Sequence, residues 1–221
     1  MIKAVLFDLD GTVADTNTLI FESFKYTFAE HGIENVLDED IYAFFGEPLA
    51  LSMERYATRE LAPRLIETYR SFNEVKHDEM IADFPEVVTT LQALAARGIK
   101  LGIVTSKREA MARRSLQTLN LLDYFDVLVT PELTEKHKPD KAPVEKGIAL
   151  CGVLPEECIM VGDSPYDILS GNAAGSYTAA VMYTVLPKAA LAAANPDFFI
   201  HGLGELFGII DRINSPAMDE R

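Results

Sequence analysis

Close to its N-terminus the chain carries the stretch Ala4-Val5-Leu6-Phe7-Asp8-Leu9-Asp10-Gly11-Thr12. The first four residues form an apolar run that is typical of a buried strand, and the glycine marks a turn after it. Asp8 and Asp10 therefore lie just beyond the carboxyl end of a strand. In open parallel sheets, ligands bind at these strand ends, near the point where the strand order reverses. The pattern predicts that both aspartates face an active-site crevice.

Polar side chains also follow three later apolar runs, at residues 100–104, 127–129 and 158–161. They are Thr105 and Ser106, then Lys138, then Asp163 and Asp167. Because helical patterns separate the runs, we expect parallel neighbouring strands in a doubly wound, Rossmann-like α/β sheet. Strands near residues 178–182 and 198–200 complete this sheet. Its carboxyl edge then brings all these side chains to one site, together with the first two aspartates.

A long helical region interrupts the sheet pattern after the first strand. Apolar residues recur at helical spacing from Ile20 to Phe28, and the chain returns to the sheet pattern near Ala82. Between them, helices are predicted at residues 40–45, 51–56 and 60–80. We therefore expect a core domain of residues 1–15 and 83–214, an inserted helical cap of residues 16–82, and a disordered tail at residues 215–221.

Composition excludes several classes of partner. The 221 residues carry a formal net charge of −14, so no basic stripe is available to bind nucleic acid. No apolar run approaches the roughly 20 residues that a membrane span needs, and charged residues interrupt any signal-peptide pattern. We expect a cytoplasmic protein that binds neither nucleic acid nor membrane and is a monomer or a weak homodimer.

The predicted cluster of acids needs a cation. Two carboxylates about 4 Å apart repel each other by roughly 4 kcal/mol at an effective dielectric constant of about 20. Oxygen ligands favour a hard ion, and Mg²⁺ typically binds one or two carboxylates while leaving room for a substrate phosphate. With Mg²⁺ and Lys138 neutralising charge, one aspartate can attack phosphorus and another can transfer a proton. The sequence therefore predicts a small anionic phosphate as substrate.

Each cluster alone also has a purely structural explanation. Residues 106–109 and 164–167 both fit a helix capping box, with Pro165 well placed at the first helical position. Lys138 alone fits a surface lysine, and residues 8–12 alone fit a turn with solvated acids. The occurrence of all four clusters in this order favours the catalytic interpretation.

This ordered set resembles the four motifs of the haloacid dehalogenase-like superfamily. The matching segments are residues 8–12, 105–106, 138–139 and 162–167. The resemblance implies that Asp8 is the nucleophile and a metal ligand. It implies that Asp10 is a general acid/base, which also binds Mg²⁺ through its backbone carbonyl. The helical insertion is similar to the α-helical cap of this superfamily.

The later motifs carry further implied roles. Thr105, Ser106 and Lys138 would bind the phosphoryl group. Asp163 would complete the metal ligands, and Asp167 would support the metal from behind them or through water. All of these roles are expectations that the resemblance implies.

The cap residues point to a subgroup of the superfamily. The segments 45–49, 69–73 and 77–79 resemble the PpaX subgroup of pyrophosphatases, which implies hydrolysis of inorganic pyrophosphate. Phosphoglycolate phosphatase is the alternative. Since the dehalogenase members lack an acid at the position of Asp10, dehalogenase and phosphonatase activities are disfavoured.

The second phosphate of pyrophosphate requires cations near the cap. The candidate specificity residues are Glu47, Arg70, His77 and Lys107, with Arg108 as a further cation. Arg70 and His77 lie seven residues apart on a predicted helix, so an orientation toward solvent is an equal alternative. Glu47 either excludes bulky anions or only occupies a turn.

Two further hypotheses concern other functions. A signalling receiver domain also accepts phosphate on a strand-end aspartate beside Mg²⁺, but receiver domains are shorter and lack an inserted cap. A sugar-phosphate mutase would have to protect its phosphoryl group from water, and no cap feature of the sequence requires this. A phosphohydrolase with an aspartyl-phosphate intermediate remains the favoured prediction.

Overall fold

The computed structural model describes residues 1–58 and 60–215. In chain order the strands are β1 (Ala4–Phe7), β2 (Ala14–Asp15), β3 (Ala82–Asp83), β4 (Lys100–Val104), β5 (Val127–Val129), β6 (Cys158–Gly162), β7 (Tyr177–Val181) and β8 (Phe198–Ile200). Six of them form a parallel sheet in the order β5-β4-β1-β6-β7-β8. The order reverses at β1, which lies between β4 and β6. The doubly wound α/β architecture predicted from the sequence is confirmed.

Helices cover both faces of this sheet. The helices are α1 (Asn17–Glu30), α2 (Asp38–Tyr42), α3 (Leu49–Glu54), α4 (Ala62–Lys76), α5 (Val87–Ala96), α6 (Glu109–Thr118), α7 (Ala142–Cys151), α8 (Pro165–Ala174), α9 (Lys188–Ala193) and α10 (Leu206–Asn214). Val5 and Phe7 of β1 belong to a hydrophobic cluster that includes residues of α5, α6 and α10. Ala4 and Leu6 belong to a second cluster, with residues of α7 and α8. The alternation along β1 thus explains why its whole apolar run is buried.

The strand register brings the polar residues to one level. Phe7 of β1 pairs with Ile103 of β4 and with Val161 of β6. Asp8 continues this ladder, because its N–H donates to the carbonyl of Val161 at 2.9 Å. The residues that follow β1, β4 and β6 therefore leave the sheet side by side.

A helical insertion follows β1. Helices α1–α4 enclose their own hydrophobic cluster, whose fully or nearly buried members from these helices and their connections are Phe24, Phe28, Ile41, Phe44, Phe45, Met53, Ala62 and Leu65. The short antiparallel pair of β2 and β3 joins the two chain segments that enter and leave the insertion, with Ala14 opposite Asp83. The boundary of the cap at residues 16–82 stays a prediction.

Element bounds differ from the sequence prediction in the insertion. The predicted helix at 60–80 is α4, which is shorter and is followed by a 3₁₀ turn at His77–Glu79. Pro63 stands in the first turn of α4, where its missing N–H costs no helical hydrogen bond. Strands β2 and β3 are too short to give a period-two pattern, and the sequence did not indicate them.

In the parts of the chain that the structure describes, no helix has the length and apolar character needed to cross a membrane. Residues 216–221 of the predicted tail lie outside the described residues, and Ser215 directly follows α10. The cytoplasmic location and the oligomeric state stay predictions.

Candidate active site

A buried lysine ties the strand ends together. Lys138 Nζ donates to Asp8 Oδ1 at 2.7 Å, to Asp167 Oδ1 at 2.6 Å and to the Val104 carbonyl at 2.9 Å. The lysine is only 4% exposed, so these three bonds replace the water that its ammonium loses. Burial alone would lower the pKa of Lys138, but the Asp167 and Asp8 carboxylates raise it above its ordinary value. The lysine is therefore a permanent cation.

Three buried carboxylates surround this cation. One oxygen each of Asp8, Asp163 and Asp167 lies within 4.8 Å of the others. Burial raises the pKa of Asp8 to about 7, although Lys138 opposes the shift. Burial also raises the pKa of Asp163 well above its ordinary value, and the carboxylates of Asp167 and Asp8 add to this effect.

The charges in this cluster leave room for one more cation. Three carboxylates and one ammonium carry two negative charges in excess, and every available ligand atom is an oxygen. This donor set fits a hard divalent cation. Burial disfavours the ionised form of these acids, and a bound cation would favour that form again. Asp8 and Asp163 could hold such an ion directly.

Asp167 has less capacity to bind a metal. Its Oδ1 accepts from Lys138, while its Oδ2 accepts from the Ser164 N–H at 3.0 Å and from Ser164 Oγ at 2.6 Å. This is the capping box predicted at residues 164–167, with Pro165 as the first residue of α8. Both oxygens are thus engaged in holding Lys138 and the start of α8 in place.

Asp10 lies beside the cluster with a partner of its own. Asp10 Oδ1 accepts from Lys107 Nζ at 2.7 Å, and both side chains are partly exposed to the cavity described below. Within the residues that the structure covers, the carboxylate of Asp10 does not join the three-acid group. This position suits proton transfer at the edge of the cluster.

The residues after β4 contradict one sequence prediction. The capping box at residues 106–109 is wrong, because α6 begins only at Glu109. The hydroxyl of Thr105 accepts from the Lys107 N–H at 3.1 Å and keeps the intervening residues in a loop. Ser106 consequently reaches the cavity as a loop residue, and Lys107 reaches Asp10.

Gly11 allows the close packing beneath the cluster. It has φ +81°, and a Cβ at this position would lie 2.4 Å from Asp163 Oδ2. A side chain is therefore excluded both by the backbone conformation and by the carboxylate. The turn predicted after β1 thus brings the backbone of Gly11 against Asp163.

A cavity of about 210 Å³ lies between the strand ends and the helical insertion. The predicted site residues that line it are Asp8, Asp10, Thr105, Ser106, Lys138 and Asp163, with the specificity candidates Glu47, Arg70 and Lys107. His77 does not line this cavity. Its imidazole is fully buried and bonds to Ser115 Oγ and Asp78 Oδ1, each at 2.7 Å. His77 thus packs against α6 in this structure and does not reach the cavity.

Charged side chains of the cavity differ in how they are paired. Arg108 bonds to Glu74 at 3.1 Å, whereas Arg70 forms no ion pair with any described residue. Burial and the nearby Arg108 guanidinium lower the pKa of Arg70. Glu47 has a side chain that is only 2% exposed and is held by Arg55 at 2.6 Å and by Ser52 at 2.7 Å. Arg70 is therefore the side chain of this group that is available to a ligand.

Comparison with known proteins identifies the family. A family model described as haloacid dehalogenase-like hydrolase matches residues 5–181. The chain belongs to this family. The four motifs that the sequence analysis named all lie within the matched residues. Haloacid dehalogenase-like hydrolases generally use a divalent metal, and the three buried acids are compatible with one.

Individual relatives are similar over nearly the whole chain. The chain is 44% identical over 215 residues to a Clostridium perfringens protein, provisionally named pyrophosphatase PpaX, and the match covers 97% of this chain and 100% of the relative. It is 39% identical over 209 residues to the pyrophosphatase PpaX of Anoxybacillus flavithermus, with coverages of 95% and 97%. A solved haloacid dehalogenase-like hydrolase from Streptococcus pneumoniae has 27% identity, a TM-score of 0.86 and coverages of 95% and 98%.

One residue of this haloacid dehalogenase-like site was missed in the sequence. Thr184 Oγ1 donates to Asp163 Oδ2 at 3.2 Å. Thr184 follows the carboxyl end of β7, in the same way as the motif residues follow β1, β4 and β6. The rule that selected those residues would have selected Thr184 if it had been applied to every strand.

Proposed function

We propose that this chain hydrolyses inorganic pyrophosphate, with Mg²⁺ as cofactor and a phosphoryl group carried transiently on Asp8. The observation that carries the proposal is a single cavity with cationic and hydrogen-bond-donating side chains for two phosphates. Lys138, Ser106 and Lys107 line it from the strand ends, with Lys107 bonded to Asp10, and Arg70 lines it from the helical insertion. The relatives named pyrophosphatase PpaX, which match almost end to end, support the same substrate.

The first step transfers a phosphoryl group to Asp8. Lys138 engages Oδ1 of this carboxylate, which leaves Oδ2 to form the bond to phosphorus. The bond between phosphorus and the bridging oxygen of pyrophosphate breaks, and Asp10 gives its proton to the leaving phosphate. Ser106 donates a hydrogen bond to a phosphoryl oxygen during the transfer, and the positive charge of Lys138 stabilises the phosphoryl group electrostatically.

The second step returns Asp8 to its starting state. Asp10, now ionised, takes a proton from a water molecule whose oxygen attacks the phosphorus. The bond between phosphorus and Asp8 breaks, and inorganic phosphate leaves. Each turnover thus consumes one water and releases two phosphates.

The acids of the cluster require the cofactor. Asp8 and Asp163 would hold Mg²⁺, with Asp167 behind them, in keeping with the all-oxygen donor set. When bound there, Mg²⁺ supplies the positive charge that allows an anionic phosphoryl group to approach an anionic nucleophile.

Lys107 connects substrate binding to proton transfer. Its ammonium bonds to Asp10 Oδ1 at 2.7 Å, and both side chains line the cavity. The leaving phosphate of pyrophosphate is a stronger anion than a single carboxylate. Lys107 therefore binds this phosphate when substrate is present and releases the carboxylate of Asp10 for the proton transfer.

Substrate preference tests the proposal. We expect kcat/KM with Mg²⁺ to be at least about tenfold higher for pyrophosphate than for phosphoglycolate. Phosphoglycolate is the second candidate, because its carboxylate is also an anion that Arg70 can bind. A preference for phosphoglycolate would replace pyrophosphate as the substrate and leave the chemistry at Asp8 intact. Release of no more than one phosphate per chain would contradict a hydrolase and favour a receiver-like acceptor.

The role of Asp8 predicts a complete loss of turnover in Asp8→Asn. An amide is a poor nucleophile, so kcat should fall by more than about 10³-fold. Steady-state phosphate release measures this, with thermal unfolding as a check on the fold. Asp123→Asn, which removes an exposed acid outside the cavity, is the control and should retain normal kcat. Multiple turnovers in pure Asp8→Asn protein would disprove the nucleophile.

Arg70 is expected to bind the leaving phosphate. Arg70→Gln removes a charge-assisted hydrogen bond, so kcat/KM for pyrophosphate should fall by about tenfold to a hundredfold. Hydrolysis of p-nitrophenyl phosphate, whose leaving group has no second phosphate, should change much less. Arg64→Gln alters the same helix outside the cavity and serves as the control. Equal losses on both substrates would contradict a contact with the leaving group.

Closure of the cap over the cavity depends on a second glycine that, like Gly11, packs closely against a neighbouring residue. Gly46 lies in the loop before α3 with φ +82°, and a Cβ there would lie 2.7 Å from the Cβ of Ser164. Ser164 directly follows Asp163, so this contact joins the cap to the edge of the carboxylate cluster. It excludes water from the cavity on that side.

We therefore expect Gly46→Ala to hold the cap away from the core and to lower kcat/KM for pyrophosphate by about tenfold to a hundredfold. Gly32→Ala is a matched control, because Gly32 also has positive φ, at +63°, but a methyl group there would meet no atom within 4 Å. Both variants should lose stability in urea unfolding, and only Gly46→Ala should lose activity. Similar activity losses in both would assign the effect to backbone strain.

A further inference from the structure

The segment that follows β7 connects the cap to the carboxylate cluster. Leu186 in this segment is buried and belongs to the hydrophobic cluster of the cap. The other described members of that cluster all lie between residues 20 and 69. Leu186 is thus a residue from the sheet side of the chain that is packed inside the cap.

Thr184 lies two residues before Leu186, and its hydroxyl forms hydrogen bonds with both Leu186 and Asp163. Its Oγ1 accepts from the Leu186 N–H at 3.0 Å and donates to Asp163 Oδ2 at 3.2 Å. A backbone N–H can only donate, so the single hydroxyl hydrogen is left for the carboxylate. The position of Leu186 therefore determines the position of the hydroxyl that holds Asp163.

The Oδ2 oxygen of Asp163 has little freedom to move. On one side the backbone of Gly11 lies so close that a Cβ would come within 2.4 Å of Oδ2, and on the other side Thr184 donates to the same oxygen. The opposite oxygen, Oδ1, has no hydrogen-bond donor among the described residues, which leaves it available to a cation. Partners that orient a metal-binding carboxylate typically have large effects on metal affinity.

Tyr183 strengthens the connection. Its hydroxyl donates to the Thr12 carbonyl at 2.8 Å, and its ring packs against Phe84 with the ring centres 4.6 Å apart. Thr12 and Phe84 lie on the two chain segments that lead into and out of the insertion. The segment from Tyr183 to Leu186 thus contacts both connections of the cap, as well as its interior.

We propose that Thr184 is a positioning residue for the cation site. Because Leu186 is packed inside the cap, the contact between Thr184 and Asp163 depends on docking of the cap. The inference rests on the proposed binding of a divalent cation by Asp8 and Asp163. It adds a way for the cap to influence that cation without touching it. Loss of cap packing weakens the hold on Asp163 and so lowers the affinity for the cation.

The test is calorimetric titration of the full chain with Mg²⁺, without substrate. Thr184→Val keeps the shape and removes the hydroxyl, so its Kd for Mg²⁺ should rise by about tenfold or more. Thr184→Ser restores the hydroxyl and should bind within about twofold of the unaltered chain. Leu186→Ala keeps Thr184 and should weaken binding severalfold. Val185→Ala, which changes an exposed side chain between the two, is the matched control and should bind normally.

Two further readouts separate positioning from general damage. Thermal unfolding in the presence of a chelator should show folded protein for every variant. At saturating Mg²⁺, KM for pyrophosphate in Thr184→Val should return to the value of the unaltered chain, because the defect lies in the cation site.

Several outcomes would overturn the inference. Normal Mg²⁺ affinity in Thr184→Val would remove the role of the hydroxyl, and equal weakening in Thr184→Ser would assign the effect to packing. Normal affinity in Leu186→Ala would remove the dependence on the cap. If the unaltered chain binds no Mg²⁺, the proposed cation site fails together with this inference. Pyrophosphate hydrolysis that persists with another divalent ion would then show that the proposed reaction itself survives.

Discussion

The ammonium of Lys138 is the interaction on which the site depends. Removing a lysine from water costs several kcal/mol unless its donors are satisfied, and here all three are. The acceptors are Asp8 after β1, the Val104 carbonyl of β4 and Asp167 of α8. The cation therefore holds the ends of adjacent strands and the start of a helix at one point. Loss of any one acceptor would leave a buried charge with too few partners.

The same arrangement leaves the carboxylates under-compensated. Lys138 balances one of the three buried acids, and burial raises the pKa values of Asp8 and Asp163. Without another cation, protonation is the only way to relieve this repulsion. A divalent ion would remove the conflict, and in the proposed mechanism it would also prepare Asp8 for attack. Local stability and catalytic readiness thus depend on the same additional positive charge.

Much of this arrangement was predictable because it follows from short-range rules. Apolar runs predicted the strands, and the polar residues after them predicted the catalytic cluster. The errors have a different cause, since each depends on an individual side-chain hydrogen bond that an apolar pattern does not encode. The capping box at Ser106 failed because Thr105 binds the Lys107 N–H. The burial of His77 was not predicted, because it depends on Ser115, 38 residues later. No periodicity could reveal either contact.

The cap and the cation site meet at two separate places. Gly46 of the cap approaches Ser164, the residue after Asp163, and Leu186 reaches the same aspartate through Thr184. Both routes lead to Asp163, which follows β6 and is not part of the paired strand. A cap that moves as a unit must therefore change the contact of Gly46 with Ser164 and the bond of Thr184 to Asp163 together. Because the cavity lies beneath that cap, a substrate that favours the closed cap would also favour the arrangement of Asp163 that we propose for cation binding.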